Sequence, residues 1–443
     1  SRWLCWLRLA PSSAGWARSS PSVFRCGNLT SRRDFLATVG AAALAGCAPA
    51  AKIALPPGEL LGMSHTLGHR LREGGFPAPS ETRKTGVLII GGGISGLSAA
   101  WKLAKASIDD FLVLEMEAEP GGNSRAGKSP LVAYPWGAHY LPLPTRESTL
   151  VRELLAELNV LHGDPAAEKP LYEERFLCAT PQERVYRNGL WEEGLLPHRG
   201  LDVTEREQQQ RFHLRMEEFK NAKGRDGRRA FAIPMELSSR DPAWCQLDQI
   251  PFSQWLNDNG FTAPSLHWLA NYATRDDYGM AHTQTSAWAG LHYFACRNGE
   301  ASNASADTIL TAPDGNAWLM RGLAASAAGR IVSGALVWRI EEGKQSVTVD
   351  ALLGQKTVRF EAQQVIWAAP AFILPRVWAA VPGVLKSAAL AGDYAPWLTA
   401  NLHLSDFPEE RRGAAPAWDN VFYDSPGLGY VTATHQLIRR RLT

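Results

Sequence analysis

A chain of 443 residues with 45% hydrophobic and 20% charged content has enough apolar material for two or three domains, which excludes disorder as its main character. The formal charge of +2 is unevenly placed: residues 1–46 hold six arginines and one aspartate, a surplus of five that leaves the remainder at −3. That balance implies no nucleic-acid partner. The six cysteines (5, 26, 47, 178, 245 and 296) show neither C-x-x-C nor His/Cys ligand spacing, so no metal site and no disulfide framework is expected.

Residues 1–47 read as a leader. Arg32 and Arg33 precede a weakly apolar run from Phe35 to Ala45, the pattern of Tat export, and the run closes on Leu44-Ala45-Gly46-Cys47, which resembles the bacterial lipobox whose cysteine is lipidated. The run is too short to span a bilayer. The expected location is the bacterial periplasm or cell envelope, with the membrane reached only through lipid on Cys47. Residues 1–30 show no clean periodicity and are set aside from fold reasoning. Residues 48–85, rich in Pro and Gly, read as a linker with one short helical stretch.

From Gly86 the pattern becomes regular. An apolar strand (Val87–Ile90), a glycine turn, a helix over about Gly96–Lys105, a polar turn and a second strand (Phe111–Glu115) make a β-α-β unit, and hence a parallel sheet. Leu150, Val151, Leu154, Leu155 and Leu158 then fall on one helical face, with Ser148 as cap and Asn159 as stop. Residues 165–300 are irregular and rich in Trp and charge, with a solvated helix and basic loop near 205–229. Strand signals return at "GALVWRI", "SVTVDAL", "KTVRF" and "QQVIWAAP" as a meander.

Gly91, Gly93 and Gly96 form G-x-G-x-x-G. The first glycine allows a tight turn, the second lets backbone approach a pyrophosphate, and the third lets helix pack on strand. The amides that open the helix, including those of Ile94 and Ser95, face the phosphates. Glu115 stands at the end of the second strand, where a carboxylate accepts hydrogen bonds from a ribose. A dinucleotide site is therefore expected.

A second glycine pair, Gly121 and Gly122, follows in "LEMEAEPGGNSRAG", and here the sequence resembles the flavin amine oxidase superfamily. "YPWGAHYL", "DGNAWLMRGLAA", "GALVWRIEE" and "VIWAAP" resemble later stretches of the same family, in order over about residues 86–405. The resemblance implies FAD as cofactor. It places Gly121 and Gly122 beside the pyrophosphate and ribityl chain, Gly137 and Ala138 against the flavin ring with His139 next to them, and the Val337 backbone at the adenine. It implies an α/β fold: a Rossmann-like FAD-binding domain in two parts, 86–165 and 301–375, with a mixed α+β substrate domain inserted at 166–300 and continued at 376–443.

The departures are specific. Asn123 follows the pair where the family has Arg, and Arg125, two residues on, is the substitute. The family lysine near flavin N5 has no counterpart at Thr399, Ala400 or Asn401. The family's C-terminal segment, with a third flavin contact and an aromatic pair for the amine, is expected beyond Thr443. Substrate-contacting candidates are His139, Arg275, Asp277 and Tyr278, the last three alternatively a salt-bridged loop. His267, His282 and His292 lack ligand spacing and read as packing or surface residues.

The function expected is hydride transfer from the C–H bond of a small substrate, an amine in this family, to flavin N5. The alternatives are an oxidoreductase like phytoene desaturase or protoporphyrinogen oxidase, or a flavin-binding lipoprotein without turnover. The sequence sets no oligomeric state.

Overall fold

The computed structural model describes residues 3–9, 58–130, 132–178, 180–406, 409–433 and 435. Arg32, Arg33 and Cys47 lie outside the described residues, as does the linker as far as residue 57. Contacts divide the chain into residues 11–62 and a unit of residues 1–10 with 63–443, and the second unit holds every element described below.

The first sheet has strand order β6-β3-β2-β9-β8-β7, with β2 at Pro79–Ile90, β3 at Phe111–Leu114, β6 at Ile331–Val332, β7 at Ala335–Glu342, β8 at Val347–Leu353 and β9 at Lys356–Trp367. β2 runs parallel to β3 and β9, while β8 is antiparallel to its neighbours. The end of β2 is apolar without alternation because both its faces are covered. Leu88 and Ile90 pack with Val349, Val358 and Phe360, whereas Val87 and Ile89 pack with Ala100 of helix α2 (Ile94–Lys105).

Two boundaries differ from the sequence reading. β2 begins at Pro79, so residues 79–85 belong to the sheet and not to a linker. Their side chains are mostly exposed, which erases any apolar signal, and pairing with Thr357–Ala362 of β9 holds them. "KTVRF" and "QQVIW" are one continuous strand, β9, because no turn separates them.

The second sheet has order β5-β4-β11-β12-β1-β10, with β1 at Trp3–Leu9, β4 at Glu183–Arg187, β5 at Leu190–Glu193, β10 at Leu398–Leu404, β11 at Asp419–Phe422 and β12 at Gly427–Val431. β4 and β11 are parallel; the other neighbours are antiparallel. Setting residues 1–30 aside from the fold is corrected for Trp3–Leu9, whose backbone pairs with β10 along its whole length. Such pairing is made by main-chain groups and needs no side-chain period.

Between the strand segments lie helices α4 (Val203–Asn221), α5 (Phe252–Asp258), α6 (Pro264–Tyr278) and α7 (Ala287–Ala295). They enclose a core of Phe212, Phe231, Phe252, Trp255, Leu266 and Leu291. α4 is solvated over most of its length, burying Phe212 and Met216. Helix α3 (Thr149–Glu157) and helix α8 (Ala317–Ala325) pack with Leu97 and Trp101 of α2. Together these elements make an α/β fold: a Rossmann-like sheet with helices and a second, mixed α+β portion.

Candidate functional site

The glycine turn does three different things. Gly91 has φ +108°, and a side chain there would stand 2.7 Å from the carbonyl oxygen of Ala368. A side chain on Gly96 would overlap the carbonyl of Gly91, so helix and turn approach only with glycine. Gly93 is under neither constraint. Its φ is −78°, and a Cβ would meet only Gly122 Cα, at 3.8 Å. The space beside Gly93 is therefore open to a ligand.

α2 begins there without a side-chain cap, and its first internal backbone bond runs from Leu97 N–H to Gly93 O. The amides of Gly93, Ile94, Ser95 and Gly96 thus stand at the positive end of the helix with no acceptor among the described residues. Gly121, at φ +129°, donates to Gly92 O at 2.8 Å, and Gly122, at φ +54°, passes against Gly93. Two glycine loops thereby form one cradle with an anion-binding helix end in its floor.

Glu115 is buried beside the cradle. Its Oε2 accepts from Gly92 N–H at 2.7 Å and its Oε1 from Glu117 N–H at 2.8 Å. A carboxylate has about four acceptor positions, so two stay available to ribose hydroxyls. Arg125 donates from Nε to Gly122 O (3.3 Å), faces Glu117 at 3.6 Å and lies over Trp136 at 5.1 Å. Asn123 O accepts from Ala138 N–H at 3.1 Å, which straps Gly137, Ala138 and His139 to the end of the cradle. A side chain on Gly137 would come 2.6 Å from that same oxygen. Asn316, capping α8, donates from its backbone to Ala138 O, and Thr311 donates to His139 O. Val337 is buried in β7 at a register shift.

Beyond His139 the structure turns acidic. His139 contacts Trp418 at 5.2 Å between ring centroids, and Trp418 contacts Tyr140. Arg297 donates to the Tyr140 hydroxyl at 3.1 Å, pairs with Asp277 at 3.3 Å and lies 4.6 Å from the Tyr293 ring. Glu183 on β4 and Asp419 on β11 are register partners in parallel strands, so both point to one face of the sheet. Tyr272 of α6 donates to Asp419 Oδ2 at 3.3 Å.

Glu183 is surrounded by protein at depth, yet its side chain keeps an exposed surface. Its carboxylate forms no hydrogen bond or ion pair among the described residues. Burial, followed by the charges of Asp419, Asp307 and Asp276 against the single opposing Arg297, pushes its pKa up to about 7. Negative charge is therefore in excess around Glu183, beside the aromatic group of His139, Tyr140, Tyr293 and Trp418. Burial holds the nearby Cys178 thiol up at about 12, so it is inert.

The sequence candidates separate here. Gly91, Gly93, Gly96, Glu115, Gly121, Gly122, Asn123 and Arg125 converge on the cradle, and Gly137, Ala138 and His139 adjoin it. Asp277 is linked to the acidic group around Glu183 through Arg297. Arg275 instead donates to Pro426 O, and the Tyr278 hydroxyl donates to Ala289 O at 2.9 Å, which ties α6 to α7. The sequence reading did not find Glu183, Trp418 or Asp419. One signal was present: Asn188-Gly189, both at positive φ, is a hairpin turn that fixes β4 against β5 and hence the face carrying Glu183.

The NAD(P)-binding Rossmann-like domain family matches residues 89–158, the stretch that builds the cradle. Comparison with curated proteins gives no match. The structure is similar to that of putrescine oxidase bound to putrescine (TM-score 0.51, 16% identity, covering 70% of this chain and 63% of that one). It is also similar to a triple mutant from the redesign of cofactor binding in putrescine oxidase (TM-score 0.52, 18% identity, with the same coverage). Cyclohexylamine oxidase from Brevibacterium oxydans IH-35A aligns at TM-score 0.49 and 18% identity, over 69% of this chain and 63% of that one. At these identities the likeness to putrescine oxidase is one of fold, and the chain spans 63% of that enzyme's length.

Proposed function

We propose that this chain belongs to an FAD-dependent oxidoreductase of the amine oxidase type that acts on a cationic amine. The observation carrying the reading is the order of parts: the dinucleotide cradle, then Gly137–His139, then an acidic group in which Glu183 and Asp419 lie side by side on adjacent strands. Its fold is shared with oxidases whose substrates include putrescine.

The residues fit a flavin dinucleotide. Free amides at Gly93–Gly96 would hold the pyrophosphate, Glu115 the ribose, and the backbone of Val337 the adenine, while Gly121, Gly122 and Arg125 would follow the ribityl side. The chemistry such a flavin supplies when bound is acceptance of a hydride at N5 from a substrate C–H bond.

The chain's own contribution is electrostatic and acid–base. A protonated amine approaching the acidic group is attracted by Glu183, Asp419 and Asp276. Glu183, poised near neutrality, accepts a proton from the ammonium group, so that R–CH2–NH3+ and the carboxylate become R–CH2–NH2 and the carboxylic acid. The free amine has the lone pair that assists loss of hydride from the adjacent carbon. Tyr140 and Tyr293, held by Arg297, and Trp418 form the apolar wall for the substrate's carbon chain.

A panel of primary monoamines, diamines and carboxylic acids, offered to the purified full-length protein, tests the reading. Hydrogen peroxide release, or reduction of an artificial acceptor, with amines only is expected. Turnover of neutral or anionic compounds in preference to amines would contradict it.

A further inference from the structure

Helix α1 (His65–Glu73), with Phe76 behind it, falls in the stretch that the sequence presents as a linker with one short helical stretch. It bridges two places that are separate in the fold. At its start, Ser64 N–H donates to Glu117 Oε1 at 2.7 Å, and Gly68 faces the sulfur of Met116. Further along, Leu71 packs on the cluster that contains Val337, and Phe76 stacks on Trp338 with centroids 4.8 Å apart and planes 6° from parallel. Arg70 lies over the Phe76 ring, and its Nε is buried without an acceptor among the described residues.

These two places are the two ends of the expected adenosine position: the Glu115–Glu117 corner on one side and Val337 on the other. Backbone bonds from Gly334 N–H to Glu117 O and from Ala335 N–H to Glu115 O bring the corner and β7 together beneath the helix. The opposite oxygen of Glu117 faces Arg125 at 3.6 Å, and both side chains are nearly buried. Glu117 therefore connects the start of α1 to the arginine at the second glycine loop.

We infer that α1 and Phe76 form a cover over the adenosine-diphosphate end of the cradle, with Glu117 as the positioning residue that seats the cover. The inference rests on the dinucleotide reading of the cradle, and it names the adenosine diphosphate moiety as the group recognised there.

The experiment measures binding of ADP and of FMN separately to the apo form of the full chain. Glu117→Ala removes the acceptor of Ser64 N–H and the partner of Arg125, and the expected result is ADP binding weakened roughly tenfold or more, with FMN binding weakened clearly less. Glu117→Gln keeps the acceptor and is expected to recover most of the ADP affinity. Hydrogen exchange of the wild-type protein gives a second readout that needs no variant to fold: ADP slows exchange of the amides of residues 64–73. Equal ADP affinity in wild type and Glu117→Ala, equal weakening of ADP and FMN, or no ADP-dependent protection of α1 would overturn the inference. A wild-type chain that takes up neither FAD nor ADP overturns the dinucleotide reading as well, whereas uptake of both with an unresponsive α1 overturns only this one.

Discussion

Glu183 and Asp419 stand opposite each other on adjacent parallel strands, two carboxylates on one face of a sheet with Arg297 as the cation among the groups acting on Glu183. The next residue along each strand points the other way. Arg184, 1% exposed, donates to Asn420 Oδ1 at 2.6 Å, pairs with Glu410 at 3.0 Å and lies 4.1 Å over the Trp191 ring. The strand pair is thus pinned on one face by a satisfied buried charge, and it presents the Glu183 carboxyl on the other.

This arrangement predicts a pH signature. The Glu183 carboxyl is raised from the usual 4.5 to about 7, so the folded state holds its proton more tightly than the unfolded state. Its contribution to stability is present below about pH 4.5 and is lost as pH rises through about 7. Glu183→Gln should abolish that decline in thermal unfolding scans and reduce turnover of amines at neutral pH. A decline of the same size in the variant would show that another group is responsible.

His282 predicts a trend of opposite sign. Its Nδ1–H donates to Asn271 Oδ1, its Nε2 lies 3.2 Å from His267 Nδ1, and burial together with His267 pushes its pKa down from 6.5 to about 4. Here the unfolded state binds the proton more tightly. Stability is full above about pH 6.5 and is lost as pH falls through about 4. The slope of stability against pH between 4 and 6.5 should flatten in His282→Gln, and an unchanged slope would count against the assignment.

The glycines of the turn should fail in distinguishable ways. Gly91→Ala places a side chain at positive φ against the Ala368 carbonyl and should cost about 1–3 kcal/mol of stability. Gly93→Ala has room for its Cβ in the protein alone, so its melting temperature without cofactor should stay close to wild type. Its side chain occupies the ligand's space, and FAD binding should weaken roughly 10- to 100-fold. Calorimetry on both variants checks the contrast.

Export is a separate proposal from sequence alone. Lysines in place of Arg32 and Arg33 should leave the protein in the cytoplasm, and Cys47→Ala should release it from membranes after export. Cell fractionation is the measurement, and membrane association unaffected by Cys47→Ala would point to another anchor.

The cradle was legible in the sequence because its residues are close together: a buried apolar strand, glycines at fixed spacing and an acidic residue at the next strand end all fall within Val87–Arg125. The acidic group with its partners was not, because Tyr140, Glu183, Asp277, Arg297 and Asp419 come from distant segments that meet only through sheet pairing and the packing of α6 on α7. The sheet half of β2 was hidden for another reason. Residues 80–84 are exposed, so their place is set by main-chain bonds to β9 and leaves no pattern in side-chain polarity. Arg275 and Tyr278, chosen for their chemistry, are used to fasten α6, a role that residue type does not reveal.

The central claim, a flavin in the cradle beside an acidic group that receives amines, is tested most directly by anaerobic titration of the purified full-length holoprotein with a primary amine while the visible absorbance of its bound cofactor is followed. The account predicts the spectrum of an oxidised flavin, bleached stoichiometrically by amine in wild type and much more slowly in Glu183→Gln. A nicotinamide spectrum with no flavin, or a bound flavin that no amine in the panel reduces, would contradict it.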